Sequence, residues 1–320
     1  KTMSEITTET QKAAPIFPRI FAFIIDCITV GVACLVMGKI LYPYFENSPF
    51  IFQCIGTLLC LFYFAAFNSH IGNGKTIGKI LGKIRVKDLN GASIPFMRSL
   101  VRSSIFIIPF CFAGYLQTYS TQHLSLSLLV AFFQSIVFAC FYLAIFNGNS
   151  QQSLHDLLSE TQILRNAQSN IPRQSVWRIH YYIIALLTIV IFSVNLWGYF
   201  QSKAISANDF SLISDDIKNA QVENRHTFIG EAESTNQVLI LNVNQPDYLD
   251  DLERAETLLE KINQQHAEVL TQYHITQVQF NFSYQFGLAK LPKTTLYDYK
   301  KMPKSSLSYI GESTGLNLGF

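Results

Sequence analysis

Five long apolar runs, at residues 17–42, 49–68, 100–119, 125–146 and 180–200, are separated by stretches where polar and charged positions collect. Crossing a hydrocarbon core of about 30 Å takes roughly 20 helical residues at about 1.5 Å each, so each run predicts a transmembrane helix. The fifth, HYYIIALLTIVIFSVNLWGYF, contains no Lys, Arg, Asp or Glu, and Trp177 and Trp197, 20 residues apart, place one indole near each interface. The third is interrupted by Pro109 and Gly114, which leaves a broken or partly interfacial helix open.

Between the second and third runs the period changes. IRVKD and ASIPF read as short strands joined at LNG, a hairpin-type turn, and TQILR at 161–165 could add a third strand. Just before them, KTIGKILGKI places Ile77, Ile80, Leu81 and Ile84 on one helical face beside lysines, the pattern of an interfacial amphipathic helix. Beyond residue 200, QVLILNV and HITQVQFNFSYQF read as strands. They flank a polar helix from about Asp247 to Tyr273, with Leu249, Leu252, Leu259, Ile262 and Val269 as its apolar stripe. The last stretch, from KTTLYDYKK onward, shows no clear period. The predicted fold class is a membrane α-helical bundle of about five transmembrane helices with a small cytoplasmic β-hairpin, plus a C-terminal α+β soluble domain. Its parts are a tail at 1–15, a four-helix membrane domain at 16–166, a linker and fifth helix at 167–200, and an extracytoplasmic domain at 201–320.

Composition agrees with a membrane protein, since 49% of residues are hydrophobic and only 14% charged. Residues 1–200 carry a formal charge of +7 and residues 201–320 one of −5, which places a domain boundary near residue 200. The six cysteines all lie in apolar runs, where a thiol behaves as a small hydrophobe, and they predict neither a disulfide framework nor a zinc site. Lys1 and Thr2 precede Met3 and are set aside, and the first run, containing Arg19 and Asp26, predicts a retained helix rather than a cleaved signal. Lys and Arg mark cytoplasmic loops. Lys75, Lys79, Lys83, Arg85, Lys87 and Arg98 occupy one loop and Arg165, Arg173 and Arg178 another. The prediction is a multi-pass protein of the plasma (inner) membrane, with its N-terminus cytoplasmic and residues 201–320 outside.

Ionisable groups inside a span are functional candidates because each costs several kcal/mol unless paired or hydrated. Arg19 and Asp26 lie two turns apart on one face of the first helix, about 10.5 Å along its axis and too far to pair with each other. Asp156, in SLHDLLSET, is the expected partner of Arg19. Asp26 is compatible with a proton- or cation-coupling carboxylate and with a packing hydrogen bond. Arg19 with Asp156 is compatible with a structural clamp and with a gate, and His155 with a proton relay and with a simple hydrogen bond. Lys75, Lys83 and Lys87 could contact lipid headgroups or merely set orientation. GNGKT at 72–76 lacks the glycine that a phosphate loop needs where Ser69 stands. No nucleophile-base pair, HExxH or metal-ligand cluster points to an enzyme, a cofactor, a metal or nucleic acid.

PRIFAFIIDCITV, NGKTIGKILGKIRVKDLNGASIPFMRSLVRS and QQSLHDLLSETQIL, in that order, resemble the RDD family of membrane proteins. The resemblance runs from about residue 16 to residue 165. It implies that Arg19, Asp26 and Asp156 are the arginine and two aspartates for which the family is named, with Gly78, Lys79, Arg102 and His155 as accompanying motif positions. It also implies transport of a ligand that the family's pattern does not specify. The chain departs from that pattern in its fifth helix and C-terminal domain, and in Glu160, where a glycine is common. Two function classes follow. One is a small transporter or cation/proton exchanger using Asp26, expected as a homodimer. The other is an anchored assembly factor binding an envelope protein through residues 201–320.

Overall fold

The computed structural model describes residues 13–120, 123–148, 151–165, 176–205, 217–229, 232–243, 245–272, 275–301, 305–314 and 317–318. Arg173, most of the linker around it and the first twelve residues lie outside these. The bundle region consists of α1 (Ile16–Phe45), α2 (Pro49–Asn68), the short α3 (Ile77–Leu81), α4 (Phe96–Gln117), α5 (Leu124–Phe146), the short α6 (Leu154–Leu158) and α7 (Arg178–Ile205). The five long ones are each long and apolar enough to cross a membrane. α4 is not broken: it runs through Pro109. Such a proline is tolerated in a membrane helix because local adjustments re-satisfy the freed backbone groups.

Strand β1 (Ile84–Asp88) pairs antiparallel with β2 (Thr161–Arg165), from Ile84 opposite Arg165 to Asp88 opposite Thr161. The expected hairpin partner ASIPF forms no strand. Asp88 exchanges one backbone bond with Ala92 and turns LNG with its side chain, which accepts from the Asn90 and Ala92 N–H groups. Pro95 then lacks the donor a ladder needs, and Phe96 opens α4. The KTIGKILGKI run likewise divides. Only five residues are helical, Ile84 is buried in β1, and Ile77, Ile80 and Leu81 are exposed.

By compactness the chain forms two units. The first holds Lys1–Val32, Thr57–Ala113 and Ala131–Phe192. Phe23 is its aromatic hub, with ring centroids 5.8 Å from Phe106, 6.0 Å from Phe110 and 5.5 Å from Phe141. Within this unit α7 touches α5 through Tyr142 Oη and His180 Nδ1, 2.9 Å apart. The α7 span buries none of its most apolar window, so it presents Tyr182, Leu186 and Ile189 outward as a lipid-facing helix does.

The second unit holds Ala33–Gly56, Gly114–Val130 and Ser193–Phe320. Its elements after α7 are β3 (Ile217–Ile229), β4 (Ala232–Val243), α8 (Asp247–Asp250), α9 (Leu252–Gln272), β5 (Gln277–Phe286), β6 (Ala289–Lys301), β7 (Ser305–Thr314) and β8 (Asn317–Leu318). The sheet order is β3-β4-β5-β6-β7, with β8 also on β6. Only β4 and β5 run parallel, and α8 and α9 make the crossover that parallel strands require. The single polar helix expected there is thus two. Asp251 separates them, and its side chain accepts from the Arg254 N–H as an N-cap does. α9 buries Ala255, Leu258, Leu259 and Ile262 but exposes Leu252, while the Val269 side chain lies outside the described residues.

The C-terminal stretch without a visible period is β6, β7 and β8. The inward face of β6 carries Ala289, Leu291, Lys293, Thr295, Tyr297 and Tyr299, and its lysine and threonine hide the alternation. Lys293 is buried because its ammonium donates to Glu46 Oε1 at 2.6 Å and to Asp250 Oδ1 at 2.8 Å. Burial alone would lower its pKa, but the bonds to Asp250 and Glu46 hold it above the ordinary lysine range.

The β5–β6 turn packs against the Ala33–Gly56 segment. Phe286 meets Phe52 at 4.7 Å between centroids, and Tyr284 meets Tyr42 at 4.8 Å. A Cβ on Gly56 would lie 2.1 Å from the Gly287 nitrogen, so only glycine allows this approach. Gly56 is about 10 Å along α2 from Pro49, a depth at which irregular backbone survives only where protein covers it. Gly56→Ala is expected to destabilise the protein by about 1–3 kcal/mol, as overpacking does, and to lower its thermal midpoint in detergent. An unchanged midpoint would mean that the turn does not sit there.

Candidate functional site

The buried charges of the first unit gather where α1, α3, α4, α6 and β2 meet. Ser153 and Asp156 open α6 with a capping box: Ser153 Oγ accepts from the Asp156 N–H, while Asp156 Oδ2 accepts from the Ser153 N–H. The same carboxylate receives Arg102 through Nη2 at 2.7 Å and Nε at 2.9 Å, both on Oδ1, and Thr161 Oγ1 at 3.1 Å. Burial alone would raise the Asp156 pKa, but Arg102, then His155 and Arg19, hold it well below the usual carboxylate range. Arg102 Nη2 lies 3.1 Å from His155 Nε2, and because arginine only donates, that nitrogen accepts. Burial, with Arg102, Lys79 and Arg19 close by, pushes the His155 pKa down to about 3 despite Asp156, so the ring is neutral near pH 7.

The expected pairing of Arg19 with Asp156 is replaced. Arg102 takes the carboxylate, and Arg19 donates through Nη1 to the Gln151 carbonyl and through Nη2 to the Ile163 carbonyl at 3.2 Å. The reason is positional: α4 brings Arg102 directly opposite the α6 cap, while Arg19 faces backbone carbonyls at Gln151 and in β2. Arg19 Nε has no partner among the described residues.

Asp26 is nearly inaccessible and fully engaged. It accepts from Tyr63 Oη at 2.9 Å, Thr76 Oγ1 at 2.6 Å and the Gly78 N–H at 2.8 Å, which fastens the start of α3 to α1. A Cβ on Gly78 would lie 2.0 Å from the Ala22 carbonyl oxygen, so glycine is what lets the two backbones meet. Lys79 is buried and donates to Asn68 Oδ1 at 2.7 Å. Of the three lysines offered for headgroup contact, Lys83 is exposed, Lys75 is half-buried, and Lys87 is half-buried and donates to Ser93 Oγ at 3.1 Å. The GNGKT loop is a turn at the sheet, in which Gly74 accepts from the Val86 N–H.

Next to this cluster lies a cavity of about 340 Å³. Arg19, Lys79, Arg102, His155 and Asp156 line one part of it, and Phe23, Phe106, Phe141 and several isoleucines line the rest. Ser103 also lines it, and its hydroxyl, like Arg19 Nε, lacks a partner among the described residues. Ser103, Tyr63, Thr76, Asn68 and Thr161 were not visible as site residues in the sequence. The capping box at Ser153 carried a signal, but single uncharged polar side chains in apolar runs or loops carry none. Among the described residues no group of three or more His, Cys, Asp or Glu could hold a metal ion.

Five spans and a buried charged cluster define a multi-span membrane protein. Residues 13–160 match the model of the RDD family, so this part of the chain is similar to that family. The match holds α1 to α6 and every residue of the charged cluster except Thr161 and Ile163. No curated protein matches the chain.

Burial, then the Arg102 charge, pushes the Lys79 pKa down to about 8 against the pull of Asp26 and Asp156. Between about pH 8 and its ordinary 10.5 the unfolded chain holds a proton that the folded chain has released, so stability rises with pH across that window. Denaturation of wild type and Lys79→Met at pH 7.5 and pH 10 should show wild type gaining on the variant by about 2 kcal/mol. A constant difference would place Lys79 in water. Arg102→Met strands the Asp156 charge and should cost about 3–5 kcal/mol.

Proposed function

We propose that this protein is a small membrane transporter whose RDD domain binds its substrate in the cavity beside Arg19, Lys79 and Arg102. The cavity carries this reading. Sites for small ligands are concave, of roughly 300–1,000 Å³, mostly apolar and set with a few convergent polar groups. Buried ionisable groups in membrane domains line pathways for substrates and ions. Asp26 is better supported as the clamp on α3 than as a coupling site, because three donors already occupy it. The Lys- and Arg-rich loops support a plasma (inner) membrane location with the N-terminus cytoplasmic and the C-terminal domain outside. Four helices are few for alternating access, which favours a homodimer as the working form.

A second reading has its own support. β3, at 13 residues, is an edge of the six-stranded sheet among the described residues, and its outer backbone groups are a template on which an envelope partner could add a strand. On that reading the bundle anchors and the C-terminal domain works.

Reconstitution in liposomes separates the roles. With Na⁺, K⁺, Li⁺ and organic-anion gradients imposed in turn, wild type should carry a flux that the cavity-filling Ala144→Phe removes. Asp26→Asn should retain the flux and lose about 1–2 kcal/mol of stability. A cation-dependent pH change that survives Ala144→Phe but not Asp26→Asn would return the central role to Asp26. No flux from folded protein would favour the partner-binding reading.

A further inference from the structure

The cavity wall is electrically one-sided. Arg19, Lys79 and Arg102 face Asp156 alone, and each of these four side chains is more than nine-tenths buried. Even with Asp26 included, which lies off the cavity lining and is occupied by three donors, the buried charge among the described residues of this unit stays positive. A buried cation without a counter-charge is costly, and a buried donor without an acceptor adds to that cost. Here both occur together. Arg19 and Ser103 line the cavity, their Nε and Oγ have no partner among the described residues, and both side chains are more than nine-tenths buried. An anion placed among Arg19, Lys79 and Ser103 would supply the missing acceptor and the missing charge at once.

The rest of the cavity sets what must be attached to that anion. Phe23, Phe106 and Ile107 offer no polar atom to a ligand. Ile20 of α1 and Phe141 and Ile145 of α5 line the cavity and are also among the exposed apolar side chains, the surface that meets lipid. A fully hydrated ion would gain nothing from this wall. A hydrocarbon chain would be matched by this apolar wall, and it could enter from the bilayer without crossing an aqueous phase.

We propose that the cavity binds an anionic amphiphile, an oxyanion head joined to a single hydrocarbon chain, with the head at Arg19, Lys79 and Ser103 and the chain against Phe23, Phe106 and Phe141. This rests on the cavity being the substrate site and names the class of substrate. The head is a phosphate, as in a lysophospholipid, or a carboxylate, as in a fatty acid.

The test is equilibrium binding to the full chain in nanodiscs of zwitterionic lipid. The probes are lysophosphatidic acid, palmitate, the uncharged monopalmitoylglycerol and inorganic phosphate. Lysophosphatidic acid or palmitate should bind saturably, and whichever binds tighter identifies the head. Monopalmitoylglycerol, which has the chain without the charge, and inorganic phosphate, which has the charge without the chain, should bind at least tenfold more weakly. Arg19→Gln should weaken binding of the anionic probe by tenfold or more, and Ser103→Ala by a few-fold. Arg19→Lys, which keeps the charge but loses Nε, covers the case in which Arg19→Gln fails to fold and should fall between wild type and Arg19→Gln. Equal binding of the charged and uncharged amphiphiles, or indifference to both Arg19 variants, overturns the proposal. If no amphiphile binds while Ala144→Phe still abolishes flux, the substrate class is wrong and the transport reading stands. If the anionic amphiphile binds and Ala144→Phe blocks it without altering flux, the ligand class holds and the transport reading fails.

Discussion

Charge removed from water has to be met by charge or by hydrogen bonds, at a cost of several kcal/mol per ion where it is not. The Asp156 carboxylate meets that demand with Arg102 Nε and Nη2, Thr161 Oγ1, Ser153 Oγ and the Ser153 N–H. Those donors come from α4, from β2 and from the residue that opens α6. One side chain therefore fixes α4 against the α6–β2 segment, about 50 residues further along the chain. Arg102 can sit inside the unit only because Asp156 is there, and Asp156 only because its second oxygen caps a helix. Ordinary packing would tolerate small shifts among these elements; a buried ion pair with five donors on one carboxylate does not.

Asp26 works in the same way at a second junction, joining α1 to α2 through Tyr63 and to α3 through Thr76 and Gly78. Asp26 and Asp156 are thus both saturated, and among the residues that line the cavity Arg19 Nε and Ser103 Oγ have no partner among the described residues. This reverses the emphasis that intramembrane charge alone invites. An aspartate in a span draws attention as an ion site, yet here the unsatisfied chemistry is cationic and lies beside an apolar cavity. Neutral His155 extends the point: it accepts from Arg102 and so adds no positive charge, which leaves Arg19, Lys79 and Arg102 to set the sign of the wall.

The helices were legible because a span must be apolar along its whole length, and nothing else in a chain produces that pattern. Strands β4 and β5 showed for a related reason, since the inward face of each is continuously apolar. β6 did not, because Lys293 occupies that face with partners at Glu46 and Asp250 that are 247 and 43 residues away. Pairing choices were hidden in the same way. IRVKD signals a strand, but whether it meets ASIPF or TQILR depends on Pro95 and on where α4 begins. At the site, the motif residues could be named but not their partners. Arg19 and Arg102 are equally plausible mates for Asp156 in one dimension, and only the placement of α4 opposite the α6 cap separates them.

The second unit shows what a charge split near residue 200 leaves out. Read as sequence, the acidic C-terminal region looks like a domain attached by a helix. In the fold its β5–β6 turn rests on Gly56 and Phe52 of α2, and Lys293 of its sheet is completed by Glu46 from the connection between α1 and α2. The buried lysine thus takes its acceptors partly from that connection and partly, at Asp250, from its own domain. Gly287 rests on α2 in turn, and its irregular backbone needs cover from protein at that depth. The sheet is therefore tied to the α1–α2 segment through Glu46 and Gly56, even though more than two hundred residues separate Glu46 from the strand it anchors.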